Sequence, residues 1–149
     1  MKDNAPFNIL LADDDDDDCF FFKTALEGSS ISTHLTTVTD GEQLMRLLKN
    51  ETHELPDVLF LDINMPRKNG FECLSEIKLS SRLKLLPVIV ISTSFEQEIA
   101  NLLYQNGAQY FICKPSEISK YNKIILQALI MIEQANTAQP AKENFVITL

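Results

Sequence analysis

The sequence is poor in glycine and cysteine, and it has neither a basic surplus nor a long apolar run. Each shortage excludes something. Four glycines in 149 residues leave no glycine-rich loop after a first strand, so a nucleotide-binding module is disfavoured. Cys19, Cys73 and Cys113 stand far apart, with no Cys-x-x-Cys pair. Neither a disulfide framework nor a zinc site fits that spacing, and reduced thiols in the cytoplasm are expected. Lys and Arg number 13 against 21 Asp and Glu, for a net charge of -8. A nucleic-acid footprint needs a basic face, so direct DNA binding is not expected. No stretch approaches the roughly 18 consecutive apolar residues of a membrane span. The opening MKDNAPFN lacks the apolar core of a signal peptide.

What is present is a series of short apolar runs: FNILLA (7–12), DVLFLD (57–62), PVIVIS (87–92) and YFIC (110–113). Unbroken apolar runs of this length read as strands buried on both faces, as in a parallel sheet. THLTTVT (33–39) is rich in β-branched residues and reads as an edge strand. Helix-period segments lie between and after them, at about 16–28, 41–50, 70–80, 95–106 and 117–134. Strict alternation of strand and helix predicts an α/β protein, a doubly wound sheet with helices on both faces. The length fits one domain of about 150 residues, here 1–134. The remainder, 135–149, is a polar linker followed by FVITL. It reads either as a tail with little fixed structure or as a strand added to a sheet edge.

In such a sheet the ligand crevice lies beyond the carboxyl ends of the strands. Strand one ends at Asp13 and Asp14, strand three at Asp62, strand four at Ser92 and strand five at Lys114. Carboxylates that meet there need a cation to stay ionised. Oxygen-only ligation suits Mg²⁺. A carboxylate beside Mg²⁺, a lysine and a hydroxyl is equipped for phosphoryl transfer, with the carboxylate as nucleophile.

The motifs ILLADD, LFLDINMPRKNG, PVIVIS and GAQYFICKP, in that order, resemble the receiver domains of two-component response regulators, of the CheY-like type. Asp62 to Gly70 is eight residues and Ser92 to Lys114 is twenty-two, and both intervals fit that family. The resemblance covers about 7–132 and implies a flavodoxin-like (βα)5 fold, a five-stranded parallel sheet in the order 2-1-3-4-5. It implies that Asp62 is the phosphoacceptor, that Asp14 binds Mg²⁺ directly, and that Asp13 reaches it through water. Asn64 would offer its backbone carbonyl to the metal, and Ser92 and Lys114 would contact the phosphoryl group. A cis bond is frequent in the family after the lysine, here Lys114–Pro115. Ser92 and Phe111 would form the switch, although Phe111 stands where Tyr is frequent and lacks its hydroxyl. Phe111 also reads simply as an aromatic packing a helix. The implied partners are a histidine kinase or histidine phosphotransfer protein and a downstream protein that reads the surface of helix four, strand five and helix five. A homodimer is left open, as is the identity of either partner. With no output module expected after helix five, a single-domain, non-enzymatic regulator is the expectation.

Rival readings exist for several features. A dehalogenase-type phosphatase would also use Asp62, but needs an acid two residues later, where Asn64 stands. A receiver that no longer accepts phosphate would not need the full set of Asp13, Asp14, Asp62, Ser92 and Lys114. Asp57 reads as a turn residue, and His34 and His53 as surface residues. Ser94 either tunes dephosphorylation or is a plain loop residue. Phe20 is expected to point away from the face of Phe21 and Phe22. In the run Asp13–Asp18, Asp16 is the expected N-cap of helix one, and Asp15 would add negative potential near the metal.

Overall fold

An apolar strand is stable only if apolar layers cover both its faces. The computed structural model describes residues 5–134 and 138–148, and it supplies both layers. The strands are β1 (Phe7–Ala12), β2 (Thr33–Val38), β3 (Val58–Asp62), β4 (Val88–Ser92), β5 (Tyr110–Cys113) and β6 (Val146–Ile147). The helices are α1 (Asp16–Glu27), α2 (Gly41–Lys49), α3 (Gly70–Leu79), α4 (Gln97–Gln105) and α5 (Ile118–Gln134). All strand pairs are parallel, and the sheet order is β2-β1-β3-β4-β5-β6.

The period of two along each strand divides the core. Leu10, Leu59, Leu61, Val88, Val90 and Phe111 pack with Leu44 and Leu48 of α2, Leu74 and Ile77 of α3, and Leu103 of α4. Leu11, Phe60, Ile89, Ile91 and Ile112 face the other way, against Phe22 and Leu26 of α1 and Ile125 and Leu129 of α5. Phe22 meets Phe60 edge to face at 4.9 Å. Burying a side chain of this kind stabilises by about 1.5–3 kcal/mol. At the β2 edge, burial alternates instead of running continuously, as the β-branched edge reading expects.

The sheet keeps the expected order 2-1-3-4-5, and a sixth strand, β6, lies at the β5 edge. Phe111 and Ile112 of β5 lie opposite Val146 and Ile147, and the Phe111 amide donates to the Phe145 carbonyl at 3.0 Å. The approach to β6 is pinned by side chains: Gln109 Nε2 donates to the Ala138 carbonyl at 2.6 Å and the Tyr104 hydroxyl to the Pro140 carbonyl at 2.7 Å. Gln139 Nε2 donates to the Tyr104 and Ala108 carbonyls, both at 2.7 Å. Phe145 and Ile147 are then buried, one on each side of the sheet.

One expectation about the elements is corrected, at α1. Asp15, not Asp16, is its N-cap, with extended backbone and Oδ1 accepting from the amides of Asp17 (2.9 Å) and Asp18 (3.1 Å). The strand ends at Ala12 and the intervening turn is short: Asp13 Oδ1 accepts from the Asp15 amide at 3.0 Å. That bond closes the turn one residue earlier than expected.

Candidate functional site

Four strand ends and the start of α1 converge at one rim. β1 delivers Asp13, fully buried, and then Asp14, exposed. β3 delivers Asp62, only 7% exposed. One carboxylate oxygen from each of Asp13, Asp14 and Asp62 lies within 4.8 Å of the others. β5 leads into Lys114, whose Nζ donates to Asp13 Oδ2 at 2.8 Å and to Asp18 Oδ2 at 2.7 Å. The same nitrogen is 3.6 Å from Asp62 Oδ2. β4 delivers Ser92, buried, with Oγ accepting from the Ser94 amide at 3.2 Å. Ser92 lies in register with Cys113, the residue before Lys114. The predicted carboxylates and lysine are therefore brought together, with Ser92 at the same rim.

Asn64 follows Asp62 in a tight turn, and its amide donates to Asp62 Oδ1 at 2.9 Å. The turn folds back on its own strand: the Gly70 amide donates to the Ile63 carbonyl at 3.0 Å. A Cβ on Gly70 would stand 2.6 Å from Ile63 Cα, so no larger residue fits. The loop between β3 and α3 also presses on the start of α2, where a Cβ on Gly41 would be 2.0 Å from the Lys68 carbonyl oxygen. Arg67, at φ 68°, takes the left-handed backbone that few non-glycine residues adopt. Its guanidinium lies 3.7 Å from Asp40 and 3.9 Å from Glu42. Lys68 and Lys49 both pair with Glu76. This loop is thus held at the height of the carboxylates from the α2 and α3 side.

The electrostatics follow from burial. Taking Asp62 out of water raises its pKa from 3.8 to about 6. The Asn64 amide and Lys114 pull it down, and Asp13 adds to the rise. Burial acts to lower the Lys114 pKa, but the hydrogen bonds to Asp13 and Asp18 outweigh it and the net shift is upward. Burial also raises the Tyr121 hydroxyl, which has no hydrogen-bond partner among the described residues. The Cys19 thiol is pushed up to about 11 by burial, with Asp13 next in effect, so it is not an activated nucleophile.

The remaining predicted residues fall as follows. Phe111 is fully buried, with its ring 5.9 Å from Phe95 and 6.5 Å from Phe145. The described residues contain no cis peptide bond, so Lys114–Pro115 is trans, a correction to the cis bond the resemblance implied. Asp57 Oδ2 accepts from the Asn8 amide at 2.7 Å and ties the start of β3 to β1. His34 and His53 are exposed, and Phe20 is 64% exposed. Sequence reasoning did not single out Asp18 as a partner of Lys114, because six adjacent aspartates look alike. It also did not single out Gly41, whose need for a small residue comes from a loop 27 positions away.

Parallel strand ends that gather three carboxylates and a buried lysine in the order β2-β1-β3-β4-β5 define a class of phosphoacceptor signalling domains. The response regulator receiver domain family matches residues 9–126, and the chain belongs to it. Response regulator Rcp1 of a Synechocystis strain is 30% identical over 128 residues, spanning 83% of this chain and 87% of Rcp1. The phosphorylated cyanobacterial phytochrome response regulator RcpA superposes with a TM-score of 0.82 at 30% identity, covering 87% of this chain and 96% of that one. The Mn²⁺-bound form of Rcp1 gives 0.81 at 28% identity, covering 91% and 100%. Receiver domains bind a divalent cation at an acidic pocket. The donor set here fits such a cation: three carboxylates on one rim, two of them buried, and no nitrogen or sulfur ligand among them.

Proposed function

We propose that Asp62 accepts a phosphoryl group from the phosphohistidine of a histidine kinase or histidine phosphotransfer protein. The observation that carries this reading is the convergence of Asp13, Asp14 and Asp62 with Lys114 beside them. Mg²⁺ would be held by Asp13, Asp14, Asp62 and the Asn64 carbonyl, and it would neutralise charge on the transferring group. Asp62 Oδ forms the new bond to phosphorus. The phosphorus–nitrogen bond breaks, and its electron pair stays on the imidazole. Lys114 and Ser92 hydrogen-bond the phosphoryl oxygens. The product is an acyl phosphate on the chain itself, so the protein works as a switch and not as a turnover enzyme.

The phosphoryl group adds about -1.5 to -2 charge at pH 7. Ser92 is drawn toward it, Phe111 moves with Ser92, and the surface of α4, β5 and α5 changes its fit for a downstream protein. Phosphorylation needs only to bias two pre-existing states. The receiver unit is taken as 1–134 and the tail as 135–149, of which Val146–Ile147 adds to the β5 edge. The setting is the cytoplasm, without DNA or membrane contact, and a homodimer is among the assemblies to test. Because RcpA is named as a phytochrome response regulator, a phytochrome-linked kinase is the first donor to try.

The test uses acetyl phosphate with Mg²⁺ and mass spectrometry of the intact protein. Wild type is expected to gain one phosphoryl group and Asp62→Asn none. No gain by wild type, or an equal gain by the variant, would overturn the reading.

A further inference from the structure

We infer that Asp18 is a positioning residue that restrains Lys114 on the α1 side and opposes phosphorylation of Asp62. This rests on the phosphoacceptor reading above and names a control on the same site. An ammonium has three N–H donors and no acceptor. In Lys114, one donates to Asp13 at 2.8 Å and one to Asp18 at 2.7 Å. Asp62 Oδ2, at 3.6 Å, is beyond hydrogen-bond reach. The lysine side chain is 7% exposed and Asp18 is 25% exposed, so water weakens this pair only in part. The shortest contact of Lys114 is thus to a residue outside the three-carboxylate cluster.

Asp13 and Asp18 hold the lysine differently. Asp13 belongs to the cluster, so a bound cation competes with Lys114 for its carboxylate. Asp18 belongs to the first turn of α1 and is no part of the cluster. With a cation present, Asp18 keeps its grip while Asp13 is shared. To bond a phosphoryl oxygen on Asp62, Lys114 must move toward β3, and the Asp18 bond must lengthen or break. Asp18 therefore stabilises the unphosphorylated state. Its own charge acts in the same direction, since it stands near the incoming phosphoryl dianion without being a metal ligand. Two separate effects of one carboxylate thus agree in sign.

The experiment compares Asp18→Asn with wild type at saturating Mg²⁺, using acetyl phosphate as donor. In the transfer, the phosphorus–oxygen bond to acetate breaks with its electron pair on acetate, and the bond to Asp62 forms. Asp17→Asn is the control: it removes the same charge from the same helix turn, from an exposed side chain. Asp18→Asn is expected to phosphorylate about three- to tenfold faster, the range for a charged hydrogen bond partly weakened by solvent. Asp17→Asn is expected to match wild type within about twofold, as an exposed charge screened by salt. Equal or slower phosphorylation of Asp18→Asn, or equal acceleration by Asp17→Asn, would overturn the inference. A second readout needs no phosphorylation. In metal-free protein, NMR should show faster hydrogen exchange at Lys114 Nζ in Asp18→Asn than in wild type. An unchanged exchange rate would overturn the pairing even if Asp62 accepts phosphate. If wild type gains no phosphoryl group, the phosphoacceptor reading fails and the inferred control falls with it, whatever the NMR result.

Discussion

Asp62 carries a conflict that can be measured. It is a carboxylate held out of water beside Asp13, with its pKa raised from 3.8 to about 6. The folded state therefore binds its proton more tightly than the unfolded chain does. This favours folding below about pH 4 and is lost as pH rises through 6. In metal-free protein at pH 7, Asp62→Asn is expected to be more stable than wild type by about 3 kcal/mol. The gap should close toward pH 4, and urea unfolding across pH 4–7 would check it. A gap that widens at low pH would contradict the assignment. At this scale the sequence was unevenly legible. Asp13, Asp14, Asp62 and Lys114 could be read because apolar strands run straight into them. Asp18 could not, since its role depends on how α1 is wound, and one residue of register decides which aspartate faces the lysine. The cap at Asp15 rather than Asp16 is that same one-residue uncertainty.

Among the elements, β6 was the least legible. FVITL has strand propensity, but a two-residue strand does not form alone, and here it depends on β5 and on Gln109, Tyr104 and Gln139. Those partners come from α4, the residue before β5 and the segment before β6, which no local pattern connects. The central strands were legible because burial on both faces forces an unbroken apolar run. Phe145 anchors β6, 2% exposed and edge to face with Tyr104 at 5.1 Å. Phe145→Ala is expected to destabilise the protein by about 3–5 kcal/mol, read by thermal or urea unfolding. The Phe111 amide, which donates to the Phe145 carbonyl, should lose hydrogen-exchange protection in that variant. A cost below about 1 kcal/mol, the level of a surface change, would mean that β6 is not seated in solution.

For the whole molecule, the charge balance and the site act together. The net charge of -8 opposes compaction, and its densest concentration is the run that opens α1. A cation bound only by the folded state would offset this strain. At a concentration one hundred times its dissociation constant, Mg²⁺ is expected to stabilise wild type by about 2.7 kcal/mol. Asp62→Asn should show a smaller shift, and the same titration in EDTA should show none. Equal shifts in wild type and Asp62→Asn would place the cation away from this rim. The alternation of strands and helices made the fold class legible, and the polar strand ends made the rim legible. The clamp between Gly41 and Lys68 was not, because it arises only when α2 and the β3–α3 loop are laid side by side.

The sheet's two outer margins now differ in kind. One is β2, a six-residue strand with His34, Thr36 and Thr37 turned to water. The other would have been β5, apolar along most of its length and open to pairing with any extended chain nearby. A bare margin of that sort templates aggregation, and very short edge strands are one way proteins prevent it. β6 leaves only two residues on offer where β5 would have offered four. Besides filling the core, it blunts an adhesive border, and a chain that lost it should stick to its own copies before it unfolds.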